Sequence, residues 1–375
     1  MKSRPRISRS GAKDSKPAIY SFFSGAGFLD LGFEMAGFEI HYVNEVHQPF
    51  LDAYRYSRNN LGIPQPVYGY YGKDIQDCLH GDEALRLSDL VRKTKASGQL
   101  TGFIGGPPCP DFSVGGKNRG QHGENGKLSQ TYVDMICKHL PDFFIFENVK
   151  GLYRTSRHRE FFDRIKLQLQ EKGYSITERL INSIEYGAPQ DRERIILFGV
   201  HKDTKKHEAS GFKWLEYATY PDRSAFDNPW PITDEISVQR SSPKGIPLEL
   251  TVGYWFERND VEKHPNAKHQ FTPRAGLKKF QVIPEGDDSK KSYKRLHRWR
   301  YSPTAAYGNN EVHIHPYLPR RISVAEALAI QSLPKEFSLP PDMTLSNMFK
   351  TVGNGVPFLA ANALAKSILN FFMEK

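Results

Sequence analysis

The chain has 375 residues, 38% hydrophobic and 25% charged, a balance typical of a globular protein rather than a disordered or fibrous one. A formal net charge of +10 favours a polyanionic partner such as nucleic acid, because lysine and arginine neutralise phosphates. The apolar runs are too short to predict a membrane span and no signal core follows the basic start, so we expect a cytoplasmic protein.

Three widely spaced cysteines exclude a disulfide framework and a CxxC metal site. For Cys78 and Cys137 we expect buried, small apolar side chains, since cysteine is among the most buried residue types. Cys109 differs because of its neighbours, which are described below.

The first elements in chain order predict an α/β domain. Residues 1–17 are basic and serine-rich, which predicts a disordered arm that either contacts phosphates or stays solvated. A strand over Ile19–Phe23, a glycine-rich turn and a helix over Leu29–Ala36 follow. A second strand over Glu39–Val43 then leads to the acidic Glu45.

Further strands are predicted at Gly102–Gly105 and Phe143–Phe146, with a helix between them that buries Val133, Ile136 and Leu140. Strands that alternate with helices predict a doubly wound, parallel sheet. In such sheets ligands bind at the carboxyl ends of the strands. Four residues with suitable chemistry fall there: Gly25, Glu45, Gly106 and Glu147.

The second half of the chain changes character. A helix around Phe161–Leu169 and two strands, Tyr174–Leu180 and Arg194–Val200, complete a first domain over residues 18–200. Residues 201–318 are rich in proline, lysine, tryptophan and tyrosine, and they predict a second, irregular domain. A capping box at Ser323 and a helix after Pro357 then predict that residues 319–375 pack back on the first domain.

The turn of residues 22–27 (Phe-Phe-Ser-Gly-Ala-Gly) lies between a strand and a helix, where backbone N–H groups face a ligand. Glu45 can accept hydrogen bonds from a ribose diol. Such a turn suits NAD, FAD or S-adenosylmethionine, or serves only as a tight turn. Phe28 disfavours NAD, because a dinucleotide fingerprint continues with small residues.

In residues 105–110 (Gly-Gly-Pro-Pro-Cys-Pro), prolines and glycines hold the thiol of Cys109 on a stiff backbone after a strand. Glycines interleaved with Lys117 and Arg119 follow, which favours a mobile lid that binds phosphate. The alternative is a buried cysteine before a flexible surface loop.

Glu147 ends a very apolar strand, so desolvation should raise its pKa and let it hold a proton. The alternative is a structural hydrogen-bond acceptor. Arg192 and Arg194 occupy alternate positions before the next strand, so both side chains should face one way. There they can bind phosphate, a carboxylate or a carbonyl oxygen.

These segments, together with Val352–Pro357 (Val-Gly-Asn-Gly-Val-Pro), resemble the cytosine-5 DNA methyltransferase family. The joint occurrence of Gly-Pro-Pro-Cys, Glu-Asn-Val, Gln-x-Arg-x-Arg and Gly-Asn-Gly-Val is highly specific. The resemblance implies an S-adenosylmethionine-dependent methyltransferase sheet, with residues 201–318 as an inserted target-recognition domain. Two positions depart from the family pattern: Pro110 replaces a common glutamine and Phe28 replaces a common glycine.

The resemblance also implies residue roles. Cys109 would be the nucleophile, Glu147 the partner of the cytosine ring nitrogen, and Arg192 and Arg194 would secure the site and the base oxygen. Glu45 would hold the ribose of the cofactor, and Asp74 with Ile75 would meet its adenine. The implied cofactor residues are Phe23, Ser24, Gly25, Gly27, Glu45, Val46, Asp74, Ile75, Pro108, Leu128, Asn354 and Val356. The implied DNA contacts are Ser113, Lys117, Arg298, Arg300 and Thr304.

The predicted activity is therefore methylation of carbon 5 of a cytosine that is flipped out of duplex DNA, with no metal ion. A monomer is expected, which acts either beside a companion restriction endonuclease or as a solitary regulatory methyltransferase. Alternatives are a transfer-RNA cytosine-5 methyltransferase with the same catalytic residues, a silent DNA-binding relative, and an NAD-dependent dehydrogenase that has only the glycine-rich turn in its favour.

Overall fold

A computed structural model describes residues 16–108, 124–236, 241–273, 276–290, 292–307 and 311–374. Within these residues one seven-stranded sheet has the order β3-β2-β1-β4-β5-β7-β6. The strands are β1 (Ala18–Phe22), β2 (Glu39–Asn44), β3 (Tyr70–Tyr71), β4 (Thr101–Gly105), β5 (Phe143–Val149), β6 (Tyr174–Asn182) and β7 (Glu193–His201).

The sheet is mixed rather than entirely parallel. Strands β1 to β5 pair in parallel, whereas β7 runs antiparallel to both β5 and β6. The prediction of a parallel sheet was therefore wrong for β7, which runs against the other six strands. The link of residues 183–192 is too short for the crossover that a parallel pair requires, so the chain turns back as a hairpin.

The helices are α1 (Phe28–Ala36), α2 (Gln48–Leu61), α3 (Gln76–Leu79), α4 (Gly81–Ala96), α5 (Glu124–His139), α6 (Ser156–Glu171), α7 (Val252–Arg258), α8 (Leu277–Val282), α9 (Val324–Ile330), α10 (Leu345–Asn354) and α11 (Phe358–Met373). The predicted capping box is present at the start of α9, where the Ser323 side chain accepts from the Glu326 amide and the Glu326 carboxylate accepts from the Ser323 amide. Helices α2, α4 and α10 were not predicted.

The sheet is covered on both faces, as a doubly wound fold requires. Alternate residues along a strand point to opposite faces, so Phe144 and Phe146 pack with α4, α5 and α6. Phe143 and Ile145 pack with α1 and α11 on the other side. Helix α11 packs so closely against α1 that a Cβ added at Gly32 would lie 2.6 Å from Ala361.

A third core joins the insertion to the rest of the chain. Val252, Trp255 and Leu296 share one buried cluster with residues of α9 and α10 and with Phe28. The ring of Phe28 packs on Phe337 at 5.2 Å between centroids. Gly355 makes room for it, since a Cβ there would lie 2.1 Å from the Phe28 ring. The unusual Phe28 is thus a core residue.

By length and composition alone, the segment Leu345–Met373 is long and apolar enough to cross a membrane. This differs from the expectation that every apolar run in the sequence is too short for a membrane span. It comprises α10 and α11, and 56% of its most apolar window is buried inside the protein. This burial is that of core helices.

Candidate active site

The end of β4 meets the end of β5 through two glycines. A Cβ at Gly105 would lie 2.7 Å from the Tyr132 ring, and a Cβ at Gly106 would lie 2.6 Å from Oε2 of Glu147. The Gly-Gly pair therefore lets the backbone that leads to Cys109 pass directly against the Glu147 carboxylate. Cys109, Pro110 and the predicted lid up to residue 123 lie outside the described residues, whereas Gly126 and Lys127 at the end of the predicted lid belong to helix α5.

Glu147 forms an ion pair with Arg194 from the neighbouring β7. The Arg194 Nε lies 2.9 Å from Glu147 Oε1, and the two side chains are only 13% and 11% exposed. Burial raises the pKa of the Glu147 carboxyl, while the nearby guanidinium groups of Arg194 and Arg192 act in the opposite direction. The pair places a desolvated carboxyl group in a fixed position two residues before the end of β5, rather than at its end as predicted.

Arg192 ties distant segments together. Its side chain is fully buried and donates from Nη1 to the Ala305 carbonyl at 3.0 Å and from Nη2 to the Gly353 carbonyl at 2.7 Å. The partners of Arg192 in this structure are therefore backbone carbonyl oxygens, rather than a phosphate or a carboxylate. Arg192 fixes the Val352–Pro357 motif against the start of β7.

Two glutamines that the sequence did not single out extend this link. Gln190 is fully buried, accepts from the Ala305 amide at 3.0 Å through Oε1, and donates through Nε2 to Gln331 Oε1 at 3.3 Å. Gln331 in turn donates to the Val352 carbonyl at 2.5 Å. Gln190 belongs to the Gln-x-Arg-x-Arg motif, which could have drawn attention to it, whereas Gln331 has no local signal.

The glycine-rich turn is held by Glu45. The Gly25 amide donates to Glu45 Oε2 at 2.8 Å and the His47 amide donates to Oε1 at 2.8 Å. Phe23 and Gly25 have φ of 55° and 57°, so the turn is left-handed at both positions. A Cβ at Gly25 would meet its nearest described atom, Thr351 Oγ1, only at 4.0 Å, so there is open space beside the turn.

Strand order places four of the predicted cofactor segments at one edge of the sheet. The turn follows β1, Glu45 follows β2, Asp74 follows β3 and Pro108 follows β4, so neighbouring strands bring them to one edge. Asp74 accepts from the Gln76 amide at 2.9 Å. The individual exposures are as follows: Val46 is 63% exposed, Ile75 is buried at 3%, Val356 is buried at 7%, Asn354 is exposed, and Leu128, Pro108 and Ser24 are half-buried.

Gly27 lies at the far end of the turn and caps α1 with φ of 75°. Its carbonyl accepts from Arg58 Nη2 at 2.6 Å. Arg58, on α2, was not predicted from the sequence, because nothing local marks it.

The predicted DNA contacts in the insertion have partners within the protein. Arg298 donates to Glu285 from Nε at 2.9 Å and from Nη2 at 2.8 Å, and Arg300 Nη2 lies 2.9 Å from Asp288 Oδ2. Thr304 Oγ1 donates to the Asp191 carbonyl at 2.6 Å. These intramolecular contacts fix the positions of the three side chains, and their role as DNA contacts stays a prediction. Ser113 and Lys117 lie outside the described residues.

Two known Type II methyltransferases are similar to this chain over most of its length. Type II methyltransferase M.NmeDI of Neisseria meningitidis serogroup C is 64% identical over 95% of this chain and 84% of its own length. Type II methyltransferase M.FnuDI of Fusobacterium nucleatum is 30% identical over 95% of both chains.

Two solved structures share the fold. One, described as a DNA modification methyltransferase encoded within an E. coli prophage, has a TM-score of 0.66, 21% identity and coverage of 96% of this chain and 100% of its own. DNMT2 of Spodoptera frugiperda has a TM-score of 0.56 and 16% identity, with coverage of 96% and 100%. A model of the C-5 cytosine-specific DNA methylase family matches residues 18–370, and the chain therefore belongs to that family.

Proposed function

We propose that this DNA cytosine-5 methyltransferase acts on a cytosine flipped out of a specific duplex sequence, through a covalent bond to Cys109. The buried Glu147–Arg194 pair beside Gly106 is the observation that carries the proposal. We also propose a monomeric, cytoplasmic enzyme that protects DNA from a companion restriction endonuclease, since both curated relatives named above are Type II methyltransferases.

The open space beside the glycine-rich turn would hold S-adenosylmethionine. Glu45 offers a carboxylate for the ribose diol, Asp74 an acceptor for the adenine amine, and Val46 and Phe23 apolar surface. Because Ile75 is buried, its backbone rather than its side chain would face the adenine. When bound, the cofactor supplies an electrophilic methyl group.

Glu147 is suited to hold a proton for nitrogen 3 of the cytosine. Burial raises the pKa of this carboxyl, which makes it easier for the group to take up a proton. Arg194 fixes one carboxyl oxygen at 2.9 Å, so the other oxygen, Oε2, remains on the side of Gly106. The proposal gives Arg194 the task of orienting this group and contacting the base oxygen.

Cys109 would supply the nucleophile. Carbon 5 of cytosine is a weak nucleophile, so the thiolate first adds to carbon 6 while Glu147 protonates nitrogen 3. Carbon 5 of the resulting enamine would accept the methyl group as the bond from that group to the sulfonium sulfur breaks and leaves a thioether. Loss of the carbon-5 proton to solvent would then expel the thiolate, and nitrogen 3 would return its proton to Glu147, which restores the ring. Because these carbons are stacked inside a duplex, the base must leave the helix first.

Bisulfite sequencing of DNA from a cytosine-methylation-free host that expresses the protein tests this function. We expect methylated cytosines within one short recognition sequence, and none with Cys109→Ser. Unmethylated DNA with full-length soluble enzyme present would overturn the proposal. Incubation with tritiated S-adenosylmethionine and either duplex DNA or transfer RNA separates the RNA alternative, since labelling of RNA alone would contradict a DNA substrate.

A further inference from the structure

A charged cluster lies behind the glycine-rich turn, between α1 and α2. Its members are Asp30 and Glu34 on α1 and Arg58 on α2, with Tyr54 one turn before Arg58. Arg58 and Asp30 are fully buried, and the Glu34 side chain is 9% exposed. None of these residues belongs to the motifs that identify the family.

Arg58 reaches the turn directly. One edge of its guanidinium donates from Nη2 to the Gly27 carbonyl at 2.6 Å, and Nε donates to Glu34 Oε2 at 2.8 Å. The guanidinium also lies over the Tyr54 ring, 4.3 Å from its centroid. Since Arg58 is planar and grips both a carbonyl and a carboxylate, its position is fixed on several sides.

The rest of the cluster fixes α1. Tyr54 donates to Asp30 Oδ2 at 3.0 Å, and Ser21 at the end of β1 donates to Asp30 Oδ1 at 2.8 Å. The cluster thus connects β1, α1 and α2 next to the turn.

The turn is consequently held at two points. Glu45 binds the Gly25 amide, and Arg58 binds the Gly27 carbonyl. The Gly27 carbonyl already accepts from the Leu31 amide at 2.9 Å as part of α1, so helix formation alone does not require Arg58. A Cβ at Gly27 would lie 2.4 Å from Tyr54 and 2.7 Å from Arg58, which shows how closely the cluster supports the turn.

A buried guanidinium is costly to desolvate, and buried ion pairs add little net stability compared with apolar packing. Backbone groups that must meet a ligand gain from being held in place before it arrives, because less ordering is needed on binding. We infer that Arg58 is a positioning residue that preorganises the Phe23–Gly27 turn for S-adenosylmethionine. This inference rests on the proposed cofactor site.

Isothermal titration calorimetry of S-adenosylmethionine against the DNA-free protein tests the inference. Arg58→Lys keeps the charge but cannot grip both partners, and we expect its Kd to rise about tenfold or more, as for loss of a hydrogen bond to a charged group. In steady-state assays the KM for the cofactor should rise by a similar factor, while kcat at saturation stays within about twofold. If Arg58 only stabilised the fold, the KM for the cofactor would not rise while kcat stayed nearly unchanged.

Arg55→Lys is the matched control. Arg55 lies on the same helix, 40% exposed, beside Asp52 and over the Tyr70 ring. Its variant should bind the cofactor as the parent does. Glu34→Gln provides a second test should Arg58→Lys fail to fold, because it loosens the guanidinium without removing it, and we expect a smaller rise in Kd of about threefold.

An unchanged Kd in whichever of the Arg58→Lys and Glu34→Gln proteins is folded would overturn the inference and leave the proposed function standing. Failure of the parent to bind S-adenosylmethionine would instead contradict the proposed function itself. The two failures are therefore distinguishable in one series of titrations.

Discussion

Replacing Gly106 by alanine tests whether the position of the Glu147 carboxylate matters for methyl transfer. The added Cβ would lie 2.6 Å from Glu147 Oε2, so the carboxylate must withdraw by roughly 0.7 Å to reach the ~3.3 Å that carbon and oxygen tolerate. Gly106 is not among the positive-φ glycines, so alanine adds no backbone strain of that kind.

The effect on rate follows from this displacement. Withdrawal stretches the 2.9 Å contact with Arg194 toward the limit of a hydrogen bond and moves the proton donor from its place. A misplacement near 1 Å can cost about 100-fold in rate, so we expect kcat to fall about 10- to 100-fold. Because the end of a side chain gives way, the free energy of unfolding should change by less than about 1.5 kcal/mol.

Single-turnover transfer of tritium from labelled S-adenosylmethionine to duplex DNA measures the rate, and chemical denaturation measures stability. Gly211→Ala is the matched control, since a Cβ there meets no described atom within 4 Å. A folded Gly106→Ala protein that transfers methyl groups as fast as the parent would refute the role given to the Glu147 position.

Three further predictions address other parts of the chain. Arg192→Lys loses one of two buried carbonyl contacts, worth about 1.5–3 kcal/mol, so kcat/KM for the cofactor should fall about tenfold or more in initial-rate assays. Glu285→Gln leaves Arg298 poorly paired and should cost about 2 kcal/mol in urea denaturation, whereas Gln at the exposed Glu262 should cost almost nothing. Burial lowers the pKa of His139 from 6.5 to about 4. Between these two pH values the unfolded chain binds a proton that the folded protein does not. The stability that neutral His139 contributes to the folded state is therefore complete above pH 6.5 and is lost as the pH falls toward 4. His139→Gln should therefore flatten the decline in unfolding free energy over that interval by about 3 kcal/mol.

Each of these has a contrary outcome. Parent-like kcat/KM for Arg192→Lys would mean that the Gly353 contact does not support the cofactor edge. Equal denaturation midpoints for the glutamine variants at Glu285 and Glu262 would remove the structural role of the Arg298 pair. Parallel stability curves for parent and His139→Gln between pH 6.5 and 4 would show that this histidine does not titrate as burial predicts.

Periodicity and turn residues predicted much of the sheet, because buried strands are continuous apolar runs. Strands β1, β2 and β4 were placed within one or two residues of their observed bounds, while β5 continues through Glu147 to Val149. The direction of β7 was missed because an apolar run has the same appearance in either direction. The link before it, residues 183–192, is too short for a parallel crossover, and this shortness could have predicted the antiparallel direction.

The site was predicted only where a motif is local. Glu147 and Arg194 were chosen from their own neighbourhoods, and the structure brings them within 2.9 Å. Arg58 and Gln331 act through contacts with residues far away in sequence, which depend on how helices pack and carry no local pattern. Arg298 and Arg300 look like phosphate ligands in sequence, yet acidic residues twelve or thirteen positions earlier bind them.

The covalent bond to Cys109 is the central claim, and a trapping experiment tests it most directly. In a duplex carrying 5-fluorocytosine at the target, fluorine cannot leave carbon 5 as the proton does, so the thiol–carbon 6 bond should persist after methyl transfer. Intact mass spectrometry should then show one enzyme joined to one DNA strand, with Cys109 in the cross-linked peptide. Methyl transfer to an ordinary target without any adduct on the fluorinated one, or an adduct at another residue, would contradict the account.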